Sequence, residues 1–441
     1  MEQRRKNLTQ LFIPICLETL LYMLSGMVDT LMLSSVNDQA VGAVGTANTY
    51  IGIFIIMFSV ISSGMVAVMT QNIGAGRPGV AYQARQLGLA FNAVLGVIMS
   101  LFLSLGAGTI LSGVGVADAL MQPAKTYLQI VGGFCILNAL IPICSSYLRA
   151  FGFSKEPLYA SIIGNVINFC LNAFFLFVLH KGVAGVATAT VISRIINLVI
   201  VVLLGAVLVK AKQHPERESN RAVMGQIIRI GLPSACETAI YNVSMTLVIR
   251  FLNQMDAQGL NVTARSYTMQ ITNFSYCVGA ALAQANAIMT GWHIGAKEND
   301  ACDRGTKKAA VIGVIVAVIL ETVFTLCSGW IMQLFSKDPQ MVSLVGKLLA
   351  IDIVLEIGRV TNLVYGQALK TSGDAVFPVV MGACFMILCS VGGTYLFGIR
   401  LGLLAVGAYI GMTGDECVRA VGMYLRWKSG KWKEKGLVKS R

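Results

Sequence analysis

Apolar residues in this chain do not alternate with polar ones. They come in runs of twenty or more, separated by short polar stretches. A helix rising 1.5 Å per residue needs about 20 apolar residues to cross a hydrocarbon core roughly 30 Å thick. Such runs fall at 10–34, 46–71, 87–112, 124–148, 157–179 and 184–209, and again at 227–252, 264–291, 308–333, 342–369, 376–397 and 402–425. Each must be helical, because hydrocarbon offers no partner to a free backbone N–H or C=O. The pattern predicts an all-α membrane protein with twelve transmembrane helices.

The positive charges orient these helices. With the N-terminus placed inside, about 24 of the 34 Lys and Arg fall in inside segments, about five outside and about five within spans. The inside group includes Arg4, Arg5, Lys6, Arg77, Arg85, Arg149, Lys155, Lys210–Arg229, Lys297, Arg304, Lys307, Lys308, Lys370 and the tail from Arg426. That asymmetry is the positive-inside pattern and puts both termini in the cytoplasm of a cell (inner) membrane. It also accounts for the net charge of +13 without nucleic acid. The basic tail (Lys428, Lys431, Lys433, Lys435, Lys439, Arg441) is expected beside anionic lipid.

Composition supports a chain solvated by lipid: 56% of residues are hydrophobic and 12% charged, against about 25% charged in soluble domains. The 45 glycines suit close helix packing in a bilayer. The 11 cysteines, such as Cys16, Cys135, Cys170, Cys236 and Cys384, sit mostly inside apolar runs and read as small fillers. No zinc-type spacing accompanies them. The basic start Met1–Lys6 leads into a long apolar run with no small-residue cleavage site, so it reads as an uncleaved first span.

The two halves repeat one another. Pro14-Ile15-Cys16-Leu17-Glu18-Thr19 matches Pro233-Ser234-Ala235-Cys236-Glu237-Thr238, 219 positions on. Ile73-Gly74-Ala75-Gly76 matches Ile294-Gly295-Ala296-Lys297, Pro157 matches Pro378, and Gly182-Val183 matches Gly402-Leu403, in the same order and at nearly the same offset. An ordered set of this kind marks an internal repeat. With six spans each, both halves enter from the same side and form two pseudo-symmetric six-helix lobes. The expected organisation is an N-lobe at 1–209, a cytoplasmic linker at 210–226, a C-lobe at 227–425 and a basic tail at 426–441. Two such lobes suit alternating access.

Charges inside spans are costly and mark function by default. The candidates are Glu18, Asp29, Glu237, Arg250, Arg265, Glu321, Glu356 and Arg359. Asp29 lies deep in the first span, with no Lys or Arg near it in sequence, and an acid there can take up and release a proton. Asn165, Asn168 and Asn172 lie on the fifth span, the last two one turn apart on one face. Their amides either face Asp29 and hold Na⁺ or its proton, or bond neighbouring helices. Glu18 and Glu237 occupy matching places in the repeat and either position helices or meet substrate. Glu356 and Arg359, one turn apart with Asn362 behind them, can pair internally. Arg250 and Arg265, near span ends, are expected to snorkel to the surface. Pro14 and Pro233 mark either a gate or a fixed kink.

These motifs together resemble the multidrug and toxic compound extrusion (MATE) family over nearly the whole chain. The resemblance rests on Pro14 through Val28-Asp29-Thr30, the Ile73–Gly76 loop and the Asn168/Asn172 face. It also rests on Gly182-Val183-Ala184-Gly185-Val186-Ala187-Thr188-Ala189-Thr190, on the second-half counterparts, and on Leu369-Lys370-Thr371-Ser372-Gly373-Asp374. It implies a secondary active exporter of organic, often cationic, compounds, driven by H⁺ or Na⁺, working as a monomer without other cofactors. The family's N-lobe cation site falls on Asp29, Asn168, Asn172 and Thr190, with Na⁺ the only metal expected there. Many relatives carry Asp where this chain has Asn172. The places of a C-lobe acidic pair are taken by Asn242 and Arg359, with Glu237 and Glu356 nearby.

Two other readings compete. A lipid-linked oligosaccharide flippase of the same broad superfamily is expected to carry extra spans or a more cationic cavity, and neither is seen. A membrane-embedded enzyme is disfavoured, since His180, His214 and His293 sit in loops or at span ends with no catalytic set around them.

Overall fold

The computed structural model describes residues 6–35, 38–113, 116, 118–210, 214–256, 259–333 and 335–438. Arg4, Arg5, Lys212, Lys439 and Arg441, assigned above to the inside surface, lie outside the described residues.

The first half runs α1 (Leu8–Ser34), α2 (Asp38–Gly74), α3 (Pro78–Leu105), α4 (Ala107–Gly113), α5 (Asp118–Tyr127), α6 (Ile136–Ala150), α7 (Lys155–Ala173) and α8 (Gly182–Leu208). The second runs α9 (Asn220–Met255), α10 (Leu260–Gly295), α11 (Asn299–Leu326), α12 (Ser328–Met332), α13 (Pro339–Thr371), α14 (Val376–Phe385) and α15 (Leu404–Lys428). The helices outrun their apolar cores. α3 begins at Pro78, whose missing N–H costs nothing at a first helical position, and ends before Gly106 rather than at 112. At the start of α13, Asp338 accepts a hydrogen bond from Gln340 N at 2.9 Å, and Pro339 opens the helix.

Among the described residues, seven helical rods pass as membrane spans by length and composition, or eight if the bent pair Asp118–Gly132 and Ile136–Ala150 is one span. α9, α10, α13 and α15 are equally long but too polar to pass, and all four build the second half. Large apolar side chains such as Leu105, Leu326, Trp330, Leu388 and Val207 point outward. Lipid is the solvent that tolerates such a surface.

The duplication is visible in the backbone. Left-handed residues recur as Gly76 and Lys297, as Gly152 and Gly373, and as Gly182 and Gly402. π-helical turns follow α7 at Phe174–Val178 and follow α14 at Met386–Val391 and Thr394–Arg400. Lys297 shows that the turn geometry persists where glycine was not kept, at the cost of a left-handed non-glycine residue.

The chain forms two compact units, Met1–Leu232 and Pro233–Arg441. The division falls inside α9, whereas the charge pattern places the linker at 210–226. The reason is packing. A Cβ on Gly64 of α2 would lie 2.0 Å from Ile227 O, and one on Gly231 would lie 1.7 Å from Val60 O, so the backbones of α2 and early α9 touch. Residues ahead of α9 are tied to the same unit by Arg77–Glu218 (2.6 Å) and by Gln83 Nε2 donating to Asn220 Oδ1 (2.6 Å). Gly64→Val or Gly231→Val is expected to cost about 1–3 kcal/mol by overpacking. Gly26→Ala, where nothing lies within 4 Å, is expected to be silent. Melting temperatures in detergent distinguish the two outcomes.

The C-terminal segment packs on the second unit and is not wholly given to lipid, a correction to the tail reading. Trp432 stacks on Trp427 at 4.2 Å, and Trp427 Nε1 donates to Asp303 Oδ1 at 2.9 Å. Lys435 and Arg426 both meet buried Asp374 at 2.7 Å, in the loop after α13, while Lys428, Lys431 and Lys433 remain exposed. Burial alone would raise the Asp374 carboxyl, but the hydrogen bonds and charges of Arg426 and Lys435 outweigh it and hold it below the ordinary value. A lowered carboxyl stabilises fully above its unfolded value and loses that contribution as pH falls through the folded one. Asp374→Asn is therefore expected to lower the melting temperature near pH 7, with the difference shrinking in strong acid.

Candidate functional site

Each unit holds its own polar constellation. In the first, Asp29 on α1 is half-buried and accepts a 2.7 Å hydrogen bond from Asn172 Nδ2 on α7. The same amide lies 3.2 Å from Asn168 Oδ1, one turn earlier. Both asparagines are buried, and Asn172 Oδ1 has no partner. Three kinds of oxygen therefore gather here: a carboxylate, an accepting amide and an unused amide. Thr190 on α8 is buried, but its hydroxyl donates to Val186 O at 2.9 Å in its own helix. Arg194, one turn further along α8, is close enough for its charge to act on Asp29. Sequence reading passed over Arg194, although an arginine inside the run Val191-Ile192-Ser193-Arg194-Ile195-Ile196 is as unexpected as Asp29.

Glu18 does not join this group. Its Oε2 meets Arg149 Nη2 at the end of α6 at 2.5 Å, and Ser161 Oγ of α7 approaches its Oε1 at 3.4 Å. Its repeat counterpart does the same: Glu237 Oε2 meets Lys370 Nζ at the end of α13 at 2.5 Å. Gly382 occupies the place equivalent to Ser161, and a Cβ there would lie 3.3 Å from Glu237 Cγ. The glutamate of each half thus clamps the proline-bearing helix to a basic residue of the same unit.

The second unit contains a cavity of about 400 Å³ walled by α9, α10, α13 and α15 together with the π turn Met386–Val391. Glu237, Asp352, Arg359, Asp415, Glu416 and Arg419 line it. Arg359 pairs with Glu356 one turn away and lies 3.6 Å from Glu416. Arg419 bonds Asp415 at 2.8 Å and Glu416 at 2.9 Å, and Asn362 Nδ2 donates to Glu416 at 3.0 Å. A Cβ on Gly358 would lie 2.9 Å from Cys417 N, and this close crossing of α13 and α15 brings the two charged runs together. Sequence reading singled out Glu356 and Arg359 but not Asp352, Asp415, Glu416 or Arg419. The signal was present, since Asp415-Glu416-x-x-Arg419 lies in the last apolar run.

Asn242 is not brought in. It is exposed and donates to Thr238 O at 2.8 Å in its own helix. Arg265 corrects the snorkelling expectation: it is buried and faces the cavity, meeting Met245 Sδ at 3.8 Å, with no partner for its Nε. Arg250 is exposed. Tyr241, Met245 and Tyr276 also line this cavity, whereas Tyr22 and Met57 are exposed.

A duplicated all-helical membrane protein with separate buried charge clusters in its two halves belongs to the class of transporters, not enzymes. The family model MatE matches residues 14–174 and 233–396, two stretches that both open on the repeated proline. The chain belongs to the multidrug and toxic compound extrusion family, and the twelve-helix, two-lobe fold is that family's. It is 34% identical to the uncharacterized transporter YisQ of Bacillus subtilis (strain 168), over 96% of this chain and 94% of that protein. It is 23% identical to a probable multidrug resistance protein NorM of Thermotoga maritima, over 98% and 94%. A crystal structure of MATE in the straight conformation matches the fold with a TM-score of 0.88 at 19% identity, over 97% of this chain and 96% of that one.

Proposed function

We propose that this protein is a secondary active exporter that moves organic, often cationic, compounds out of the cell by antiport with H⁺ or Na⁺ through alternating access. It works as a monomer in the cell (inner) membrane, with both termini cytoplasmic. The observation that carries the reading is the Asp29–Asn172–Asn168 cluster, a lone carboxylate inside an apolar helix that accepts from the Asn172 amide, itself shared with Asn168. A proton or Na⁺ neutralises that carboxylate, and an intramembrane acid so placed suits a coupling role in a transporter. Bound cation and bound substrate favour different states of the protein, and each shifts the balance only through its differential affinity for them.

The charges of the second-unit cavity add a reading of the cargo. Arg265 and several acids line the same cavity, so substrates bearing both a cationic and an anionic group find partners there. Arg265→Gln is expected to weaken export of a carboxylate-bearing dye several-fold while sparing a purely cationic dye; equal effects on both would remove this role.

The deciding experiment is transport in proteoliposomes with proton and sodium gradients imposed separately. One gradient should drive accumulation of a fluorescent substrate. Transport by neither, together with movement of labelled lipid-linked oligosaccharide, would replace the exporter with a flippase.

A further inference from the structure

A second cluster in the same unit meets the cavity described above only through Asp352. Glu321 on α11 and Asp352 and Glu356 on α13 are 0%, 2% and 0% exposed, and one oxygen from each lies within 4.8 Å of the others. Packing forces the meeting. Gly279 of α10 and Gly313 of α11 both lie against Val360 of α13, where a Cβ would come within 2.8 Å and 2.6 Å of its methyls. With no side chain to hold them apart, the three helices close up. Asp352 and Glu356, one turn apart, then present one face toward Glu321.

The cluster is only partly compensated, since Arg359 pairs with Glu356 alone of the three. Arg359 is engaged by Glu356 and Glu416, and Arg419 by Asp415 and Glu416. Among the described residues, neither Glu321 nor Asp352 forms an ion pair or accepts a complete hydrogen-bond set. Both Glu321 oxygens, Asp352 Oδ2 and Glu356 Oε2 are buried without a hydrogen-bond partner. A fourth oxygen, from a different helix, stands beside Glu321. Ser275 of α10, 1% exposed, turns its hydroxyl toward Glu321, and its Oγ also has no partner in full hydrogen-bond geometry.

Buried carboxylates without partners are too costly to persist as bare charges. Oxygens bound to one hard cation at about 2.3–2.6 Å lie no more than roughly 5 Å apart, which is the spread found here. We propose that Glu321, Asp352, Glu356 and Ser275 form a binding site for a hard, oxygen-seeking metal cation in the second unit. The site has no sulfur or imidazole ligand, which selects against softer transition metals. Asp352 also forms part of the cavity wall, so the ion has a way in. The site is not the acidic pair some relatives carry in this lobe, whose places are held by Asn242 and Arg359. It stands or falls independently of Asp29.

The test uses the purified full chain in detergent, stripped of metal with a chelator and held at constant ionic strength with choline chloride above neutral pH. Na⁺, K⁺, Mg²⁺ and Ca²⁺ are titrated separately while thermal unfolding is followed. At least one should raise the melting temperature saturably by roughly 2 °C or more. The same rise should persist in Asp29→Asn and vanish in Glu321→Gln and Asp352→Asn. Equilibrium binding of the radioactive ion should fall by one per chain in the latter two. The Na⁺ and Ca²⁺ arms separate a monovalent from a divalent occupant. No saturable shift with any of the four means that the carboxyls hold protons alone and overturns the site. So does a shift that survives in either folded second-unit variant, or one lost only in Asp29→Asn.

Discussion

Asp29→Asn should yield a folded protein that no longer couples efflux to a cation gradient. The side chains are nearly identical in shape, and an amide at position 29 can still bond Asn172, so α1 and α7 keep their contact. What is lost is the one group in the Asp29–Asn168–Asn172 cluster that can carry negative charge. An amide neither takes up a proton in the physiological range nor neutralises Na⁺. Gradient-driven accumulation in proteoliposomes is therefore expected to fall to the level of empty liposomes, with the melting temperature nearly unchanged. Asn172→Asp provides the contrast. It places a second acid 2.7 Å from the first, and like charges so close cannot both ionise freely. That variant should transport with a changed pH dependence. Wild-type efflux by Asp29→Asn would remove this residue from the coupling role.

Breaking either clamp at the start of a half should be the most destabilising single change. Glu18 and Arg149 have side-chain exposures of 15% and 11%, and Glu237 and Lys370 of 14% and 13%, so neither pair is a solvated surface contact. Removing one partner leaves the other largely buried and uncompensated, at a cost of about 3 kcal/mol, the low end for a buried pair. Arg149→Met and Lys370→Met are expected to show that loss in detergent melting curves. The double variants Glu18→Gln/Arg149→Met and Glu237→Gln/Lys370→Met should recover much of it, since no lone charge remains. Double-mutant cycles measure the coupling directly. If single and double variants melt alike, the pairs contribute little and the two glutamates are free for a substrate role.

The equivalence of these clamps divides the molecule into what was duplicated and what was not. Glu18 and Glu237, Arg149 and Lys370, and the left-handed turns at Gly76/Lys297 and Gly152/Gly373 recur in both halves. The acids Asp29 and Glu321 do not. Val248 stands at the repeat position of Asp29, and Ser100 at that of Glu321. The scaffold was retained because helix entry, turn and clamp are needed in each six-helix unit.

Several site residues were legible because a charge in an apolar run stands out by itself. Asp29, Glu18, Glu237, Glu356 and Arg359 were found that way, and the Asn168/Asn172 face followed from helical spacing. Arg194, Asp415, Glu416 and Arg419 carried the same signal but sat in runs read only for their length. Arg265 was misplaced because proximity to a span end does not reveal which way a side chain points. Asp352 became informative only beside Glu321, 31 positions away on another helix.

The sequence by itself determined the helices, their number, the repeat and the presence of costly charges. These depend on local periodicity and on the fixed thickness of hydrocarbon, both of which act along a single segment. Tertiary structure alone decided partners: that Glu18 serves Arg149 and not Asp29, that α9 starts within the first unit, and that three acids from two helices meet Ser275 of a third. Those outcomes hang on glycine contacts such as Gly64 with Ile227 and Gly313 with Val360. How closely two helices approach is set by the shapes of both, and no single segment contains that information.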